Sequence, residues 1–504
     1  MNYQCTRNSA EHVSAAQAIA QGISEDGGLF VPESLPQYDS SVLEGMKDGT
    51  YLDRAERILG DFLTDFTPEE IRECVKKAYG GEKFSGGHPA PLVELPNCPA
   101  PVHLLELWHG PTCAFKDMAL QLLPHLLTKS LQKIHSDKTA VILVATSGDT
   151  GKAALEGFRD VAGTKIMVFY PQNGVSAMQK TQMTTQEGEN VAVCAIEGNF
   201  DDAQTGVKRI FTDPAVKETL AENGMMFSSA NSINWGRLLP QIVYYFSAYS
   251  DLLKVGKVQL GQEINIFVPT GNFGTILAAY YAKKMGLPVH KLICASNANN
   301  VLTEFLRTGV YDRNRQFFTT ISPSMDILVS SNLERLLYDL TGRDSERVAG
   351  WMQQLSETGR YEVEPEILKQ LQEIFYAGFC DDAQTCGAIH EIYNMSHYVC
   401  DTHTAVAIQV YRHYLAETQD TKTPTVVAST ANPYKFATSV LLSVDQTKAS
   451  GDDLANVRAL EALTGAPIPQ PIAALEGKPV RFTQCCTPDG MSDMVLSGLG
   501  IAKE

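Results

Sequence analysis

"INIFVPTGNFGTILAAYYAKKMG" occupies residues 264–286, and its reading decides the fold. A short apolar strand ends at Pro269 and Thr270. A loop of Gly271, Asn272, Phe273 and Gly274 follows, and a helix opens at Thr275. The two glycines permit a tight turn and close approach of another group to the backbone. The new helix presents unpaired N–H groups and the positive end of its dipole, which together make a seat for a phosphate. The turn is neither GxGxxG nor a P-loop, since the lysine that ends a P-loop is missing. Taken alone, it also reads as an ordinary strand–turn–helix connection.

The same pattern recurs on both sides of this stretch. Apolar runs at 139–146, 165–171, 191–198 and 224–231 form one series of expected strands, and those at 264–270, 291–297 and 424–430 form another. Amphipathic segments separate them. Short apolar strands alternating with helices predict an α/β fold of parallel sheets covered on both faces. Ligands of such sheets bind at the carboxyl ends of the strands. The expected organisation is a mainly helical N-terminal cap over 1–95, a large domain from 96–130 and 233–504, and a small mobile α/β domain over 131–232. The Pro-rich run "PAPLVELPNCPAP" (89–101) reads as the connector between cap and large domain.

Bulk properties narrow the function. The net charge of −17 and the absence of a long Lys/Arg run argue against a nucleic-acid-binding face. No window approaches the roughly 20 apolar residues that span a bilayer. The 11 cysteines are scattered without a CxxC pair, which fits free thiols in a reducing compartment. The first residues lack the basic-then-apolar layout of a secretion signal. A cytoplasmic protein without membrane contact is expected.

Two further turns invite chemistry. "VILVATSGDTGKAALEGF" (141–158) brings Ser147, Asp149 and Thr150 to a strand end, where hydroxyl and N–H groups suit a carboxylate or a phosphate. Lys152 imitates a P-loop lysine, but Thr146 stands where that motif needs Gly and Ala153 where it needs Ser or Thr. "VVASTANPYKF" (426–436) leaves Ser429 and Thr430 at the tip of a buried strand, where a helix cap is the alternative role. Lastly, "HGPTCAFKDMAL" (109–120) places Lys116 among apolar residues. With a helix starting near Ala114, the dipole and the apolar surroundings both lower the lysine pKa, and Asp117 opposes them. A neutral amine condenses with an aldehyde. An aldehyde cofactor that also carries a phosphate is pyridoxal 5'-phosphate. Pro124 is expected to kink the helix beyond the lysine.

Taken together, "DGGLFVPESLP" (26–36), "HGPTCAFKDMALQLL" (109–123), "ATSGDTGKAA" (145–154), "NSINWGRLLPQIVYYF" (231–246), "PTGNFGTILAAYYAKKMG" (269–286), "SPSMDILVSSNLERLLYDL" (322–340) and "STANPYKF" (429–436) resemble the threonine synthase family, in its longer bacterial and fungal subgroup. The resemblance covers nearly the whole chain in unchanged order. It implies the fold-type II architecture of the tryptophan synthase β-subunit, and a monomer. It implies that Lys116 is the Schiff-base lysine, that Gly271, Asn272, Phe273, Gly274 and Thr275 hold the cofactor phosphate, and that the Thr430 hydroxyl faces the pyridine nitrogen. It places Ser147, Asp149 and Thr150 at the substrate carboxylate, and Asn234 and Arg237 near the substrate phosphate. The implied reaction is loss of phosphate from O-phospho-L-homoserine and addition of water to give L-threonine. A phospholyase that releases a 2-oxo acid and phosphate is the alternative on the same scaffold. An ATPase built on "SGDTGK" and a non-catalytic relative are the other readings. The chain departs from the family at Asn432, where His is frequent, and at Thr402, where Pro is common. His397, Cys400 and His403 recur at i, i+3, i+6, but one helix does not close a tetrahedral metal site with that set. No metal is expected.

Overall fold

The computed structural model describes residues 1–501 apart from 99, 147 and 174. Two sheets organise it. The first has six strands in the order Phe375–Phe379, Val289–Ser296, Ile264–Pro269, Thr425–Ser429, Val102–Glu106 and Leu92–Leu95. The first five run parallel and the last is antiparallel. The second sheet is parallel throughout, in the order Cys485–Cys486, Val191–Ile196, Thr164–Pro171, Thr139–Ala145 and Met225–Ser228. The central strand Ile264–Pro269 is buried along its whole length, which is why it reads as an unbroken apolar run.

Three expectations change. The connector 89–101 contains the edge strand Leu92–Leu95; Pro flanks it without harm because an edge strand tolerates prolines at its ends. The N-terminal cap has helices Ala15–Gln21, Ser40–Met46, Tyr51–Phe62 and Pro68–Tyr79, but also a three-stranded antiparallel sheet of Asn2–Cys5, Asn8–Ser14 and Phe30–Pro32. The C-terminal residues assigned to the large domain instead complete the second sheet. Cys485–Cys486 pairs with Val191–Ile196, and Met491 and Val495 pack with Val141, Leu143 and Phe169. Apolar burial of the short helix Met491–Gly498 fixes it there.

Local signals set the cap helices. Thr50 with Asp53 and Thr67 with Glu70 form reciprocal capping boxes, and Pro68 follows the second cap at a position that needs no N–H donor. The helix Trp235–Lys254 is apolar on nearly every side and runs through the interior. It packs against Tyr51–Phe62, Gly274–Lys284 and Asp117–Leu120, joining cap, phosphate turn and lysine segment. None of the helices described is long and apolar enough to cross a membrane.

The two sheet units meet closely at Gly157, on the helix Asp149–Phe158. A Cβ there would collide with the Leu120 carbonyl oxygen, four residues past Lys116. Gly157→Ala should therefore cost about 1–3 kcal/mol by forcing the backbones apart. The check is a melting temperature a few degrees lower; an unchanged melting curve would refute the tight contact.

Candidate active site

Lys116 stands immediately before a helix of four residues, Asp117–Leu120, and a separate helix, Leu123–Lys133, follows. The helix does not start near Ala114, and Pro124 lies in the first turn of the second helix rather than kinking the first. The reason is a long-range contact. Phe115 N–H donates to Thr430 O at 2.8 Å, Asn432 N–H donates to Cys113 O at 3.0 Å, and Ala114 bridges Ala431. The lysine segment is thus laced to the chain leaving strand Thr425–Ser429. That lacing sets Thr430 against Phe115, the residue before Lys116. The Thr430 hydroxyl has no hydrogen-bond partner among the described residues.

Three lysines of this region are withdrawn from water, and their partners separate them. Lys435 Nζ lies 3.1 Å from Asp149 Oδ1 and donates to Thr112 O and Gln182 Oε1. Lys152 Nζ lies 3.1 Å from Glu156 Oε2. Lys116 Nζ has one hydrogen-bond partner among the described residues, Ser324 Oγ, at 3.3 Å, and lies 5.4 Å from the Phe115 ring centroid. Burial pulls its pKa down to about 8, with Asp149 opposing and Lys435 and Arg237 assisting. Burial rather than a helix dipole is the main cause, as a single helical turn carries little dipole. Asp117 opposes the shift as expected, but less than Asp149 does, and its two oxygens accept from the Thr112 N–H and hydroxyl at 2.8 and 2.7 Å.

Ser324 joins the amine to the glycine turn. Its hydroxyl accepts from Lys116, and its carbonyl oxygen would stand 2.7 Å from a Cβ on Gly271. Only glycine fits there. Phe273 takes a left-handed conformation with φ 64°, and the helix Gly274–Lys284 begins with no side-chain cap. Its first-turn N–H groups therefore stay open. The Asn272 backbone carbonyl accepts from Asn332 N–H and its side chain is exposed, while the Phe273 ring is buried against Phe375, so Phe273 offers backbone rather than side chain. Thr275 donates its hydroxyl to Gln241 Oε1 at 3.0 Å.

The substrate-side residues divide. Asn234 caps the helix Trp235–Lys254: its amide donates to Ile19 O and Ser229 O, and its oxygen accepts from Gly236 N–H. Both amide hydrogens are spent, so it is a structural cap and not a ligand to a substrate phosphate. Arg237 is different. It is buried, its Nη1 donates to Ala230 O, and among the described residues it has no carboxylate partner and its Nε no hydrogen-bond partner; burial pushes its pKa down to about 10. Asp149 is an anion: burial alone would raise its pKa, and Lys435 and Lys116 overcome that and hold it below the ordinary carboxylate range. An anion in that position serves as counter-charge and repels a substrate carboxylate. Thr150 is half-buried beside it, and Ser147 lies outside the described residues.

The chain matches family models described as "Threonine synthase N terminus" over 2–79, "Pyridoxal-phosphate dependent enzyme" over 84–372 and "Threonine synthase, C-terminal" over 404–493. The threonine synthase of Saccharomyces cerevisiae is 37% identical over 462 residues, covering 87% of this chain and 88% of that one. This chain belongs to the threonine synthase family. The solved structure of the PLP-bound threonine synthase from Brucella melitensis superposes with a TM-score of 0.86 at 34% identity, covering 99% of both chains. The threonine synthase-like 1 protein of Pongo abelii is 42% identical over 436 residues, 84% of this chain. The chain spans 57% of the length of that relative.

Pyridoxal phosphate is the cofactor of this threonine synthase family member, and the residues fit it. A neutral-leaning amine, an uncapped helix N-terminus and the orphaned Asn332 Nδ2, 3.4 Å from where a Gly274 Cβ would be, supply an aldehyde partner and anion donors. Sequence reasoning missed four residues here. Ser324 and Lys435 lie inside recognised motifs but carry no local mark of their role. His403 enters the sequence reading only through the rejected metal spacing, and Asp401 does not enter it. His403 Nε2 accepts from Ser324 N–H at 3.2 Å and its Nδ1 faces Asp401 Oδ1 at 2.9 Å. His397 ends one helix and His403 begins another, so the supposed one-helix metal spacing does not exist.

Asp149→Asn should leave Lys435 charged and unpaired, at a cost of about 3–5 kcal/mol. Denaturant unfolding measures it. Asp149→Asn with Lys435→Met should recover most of the loss, and failure to recover would mean that the pair is not the unit described.

Proposed function

We propose that the chain converts O-phospho-L-homoserine and water into L-threonine and phosphate. The observation that carries this reading is the contrast among the buried lysines: Lys152 and Lys435 touch carboxylates, whereas Lys116, beside the phosphate-type turn, does not. Cofactor, when bound, supplies the electron sink that takes up charge as substrate C–H bonds break. Lys116 Nζ is the group that accepts and returns protons, and a pKa near 8 suits it to both roles near neutrality. Ser324 orients the amine, and the Asp401–His403 pair orients Ser324 through its N–H. Arg237, whose Nη1 donates to Ala230 O, offers the remaining edge of a buried guanidinium, with its orphaned Nε, to a phosphate. The open N–H groups after Gly271 would hold the cofactor phosphate, and Thr430 would face the ring nitrogen with a neutral hydroxyl.

Water must enter only after phosphate has left, so the site needs closure. The unit built on the second sheet is our mover, since its Asp149 and Gln182 reach Lys435 on the other side of the site.

The test is a product assay with the cofactor-loaded protein and phosphohomoserine. Threonine and phosphate should form in equal amounts, whereas mainly 2-oxobutyrate would replace this reading by the phospholyase one. Lys116→Ala should lose about a thousandfold or more in turnover. Borohydride should fix the cofactor on the peptide containing Lys116 of the wild type.

The lysine also predicts a pH effect. A lowered pKa means that the amine becomes neutral near pH 8, below the ordinary lysine value of 10.5. The rate at which apo-protein takes up cofactor should rise with pH and level off above about 8. A rise continuing toward pH 10 would show that the amine is not perturbed.

A further inference from the structure

Beside the loop that leads to Lys116 is a cavity of about 610 Å³. Neither Lys116 nor the 271–275 turn lines it. Its wall does include Ser85, Glu106 and His109, and these three are joined. Ser85 Oγ lies 2.9 Å from His109 Nδ1, and His109 Nε2 lies 2.8 Å from Glu106 Oε2. The partners fix the tautomer. A carboxylate only accepts, so Nε2 carries the hydrogen, and Nδ1 is left to accept the Ser85 O–H. This is the logic of a nucleophile, a base and an orienting acid, which is recognised by roles rather than by chain order.

The parts are held in place. Glu106 is 6% exposed, and its other oxygen accepts from Tyr398 O–H at 2.7 Å. The His109 ring stacks on Trp108 at 4.2 Å between centroids, and the Trp108 indole donates to Ser429 Oγ at 3.0 Å. Ser85 N–H donates to His109 O at 2.9 Å, tying nucleophile and base through the backbone as well. Ser85 itself is exposed, on a turn whose next two residues, Gly86 and Gly87, have φ of 75° and 73°. The Gly86 N–H, directly after the serine, has no acceptor among the described residues. It is placed to receive a carbonyl oxygen as that oxygen gains charge.

We propose that Ser85, His109 and Glu106 form a second, cofactor-independent catalytic centre that hydrolyses small uncharged carboxylic esters in this cavity. Ser85 Oγ bonds to the ester carbonyl carbon while its proton passes to His109 Nδ1. Glu106 steadies the charged ring. The C–O bond to the alcohol breaks, and the alcohol leaves with the proton from Nδ1. Water then adds to the acyl carbon, giving its proton to Nδ1, and Ser85 leaves with that proton restored. Ester and water become acid and alcohol, with no electron transfer. Trp108, Tyr398, Tyr434 and Pro469 line the space, favouring an apolar acyl group, while Glu82 and Lys83 at the wall oppose each other in charge. The substrate class is therefore distinct from phosphohomoserine.

The experiment treats the cofactor-loaded full chain with a fluorophosphonate and maps the product by peptide mass spectrometry, alongside p-nitrophenyl butyrate hydrolysis. One phosphonyl group per chain should sit on Ser85, and the ester should give a burst of nitrophenolate equal to the protein. Ser85→Ala should abolish both, and His109→Gln should slow labelling about a hundredfold. Melting curves of the variants are read in parallel, and the wild-type label decides the matter if a variant fails to fold. No label, a label on another residue, or a burst that survives Ser85→Ala in folded protein would overturn the proposal.

Discussion

The site depends on one amine being taken out of water without a carboxylate to compensate. A buried ammonium costs several kcal/mol even after the protein relaxes around it. The chain meets that cost at Lys152 with Glu156 and at Lys435 with Asp149. At Lys116 it leaves the cost unmet, and the amine shifts toward neutrality. Asp149 sits close enough to oppose the shift but does not touch the amine, being engaged by Lys435 and by Gln179. The lysine is thereby held between charge states, a condition that neither full pairing nor full isolation would give.

Holding it there requires chain segments far apart in sequence. Lys116 comes from the loop after strand Val102–Glu106, Ser324 from the segment beyond the phosphate turn, Asp149 from the second sheet, and Lys435 from the turn after strand Thr425–Ser429. Parallel sheets gather such turns at their carboxyl ends, since each crossover returns the chain to the same side. The backbone lacing of 113–115 to 430–432 then sets the depth of the lysine to within a hydrogen bond. The catalytic fold is thus a device for converging loops, with the central helix Trp235–Lys254 as the common support.

The sequence made the doubly covered strands legible because burial on both faces forces continuous apolar runs, as in Ile264–Pro269. It hid the edge strands. Leu92–Leu95 is short and flanked by proline, and Cys485–Cys486 has two residues and hence no periodicity to read. Lys116 stood out as a lysine in apolar company, yet Lys435 carries the same local mark and plays the opposite role. What distinguishes them is Asp149, almost 300 residues from Lys435 and visible only in space. The pair Asn234 and Arg237 teaches the same point. One motif supplies both, but Asn234 finds three backbone partners and becomes a cap, while Arg237 keeps an unpaired Nε. The helix start also escaped local reading, because the residue that holds Phe115 is Thr430.

The loop from Glu106 to Lys116 bears on both chemistries. At one end Glu106 and His109 face the large cavity, and at the other Lys116 faces Ser324. Between them Trp108 is pinned to Ser429, next to Thr430, and Cys113 takes a strained φ of 59° while accepting from Asn432. A loop fixed at so many points cannot slide to favour one end without disturbing the other. Rigidity here follows from hydrogen bonds made by backbone groups that have no water to turn to, each expensive to leave unmade. The constraint that presents a poised amine on one side therefore also presents a fixed imidazole on the other, and the same strand end, Ser429 and Thr430, anchors both.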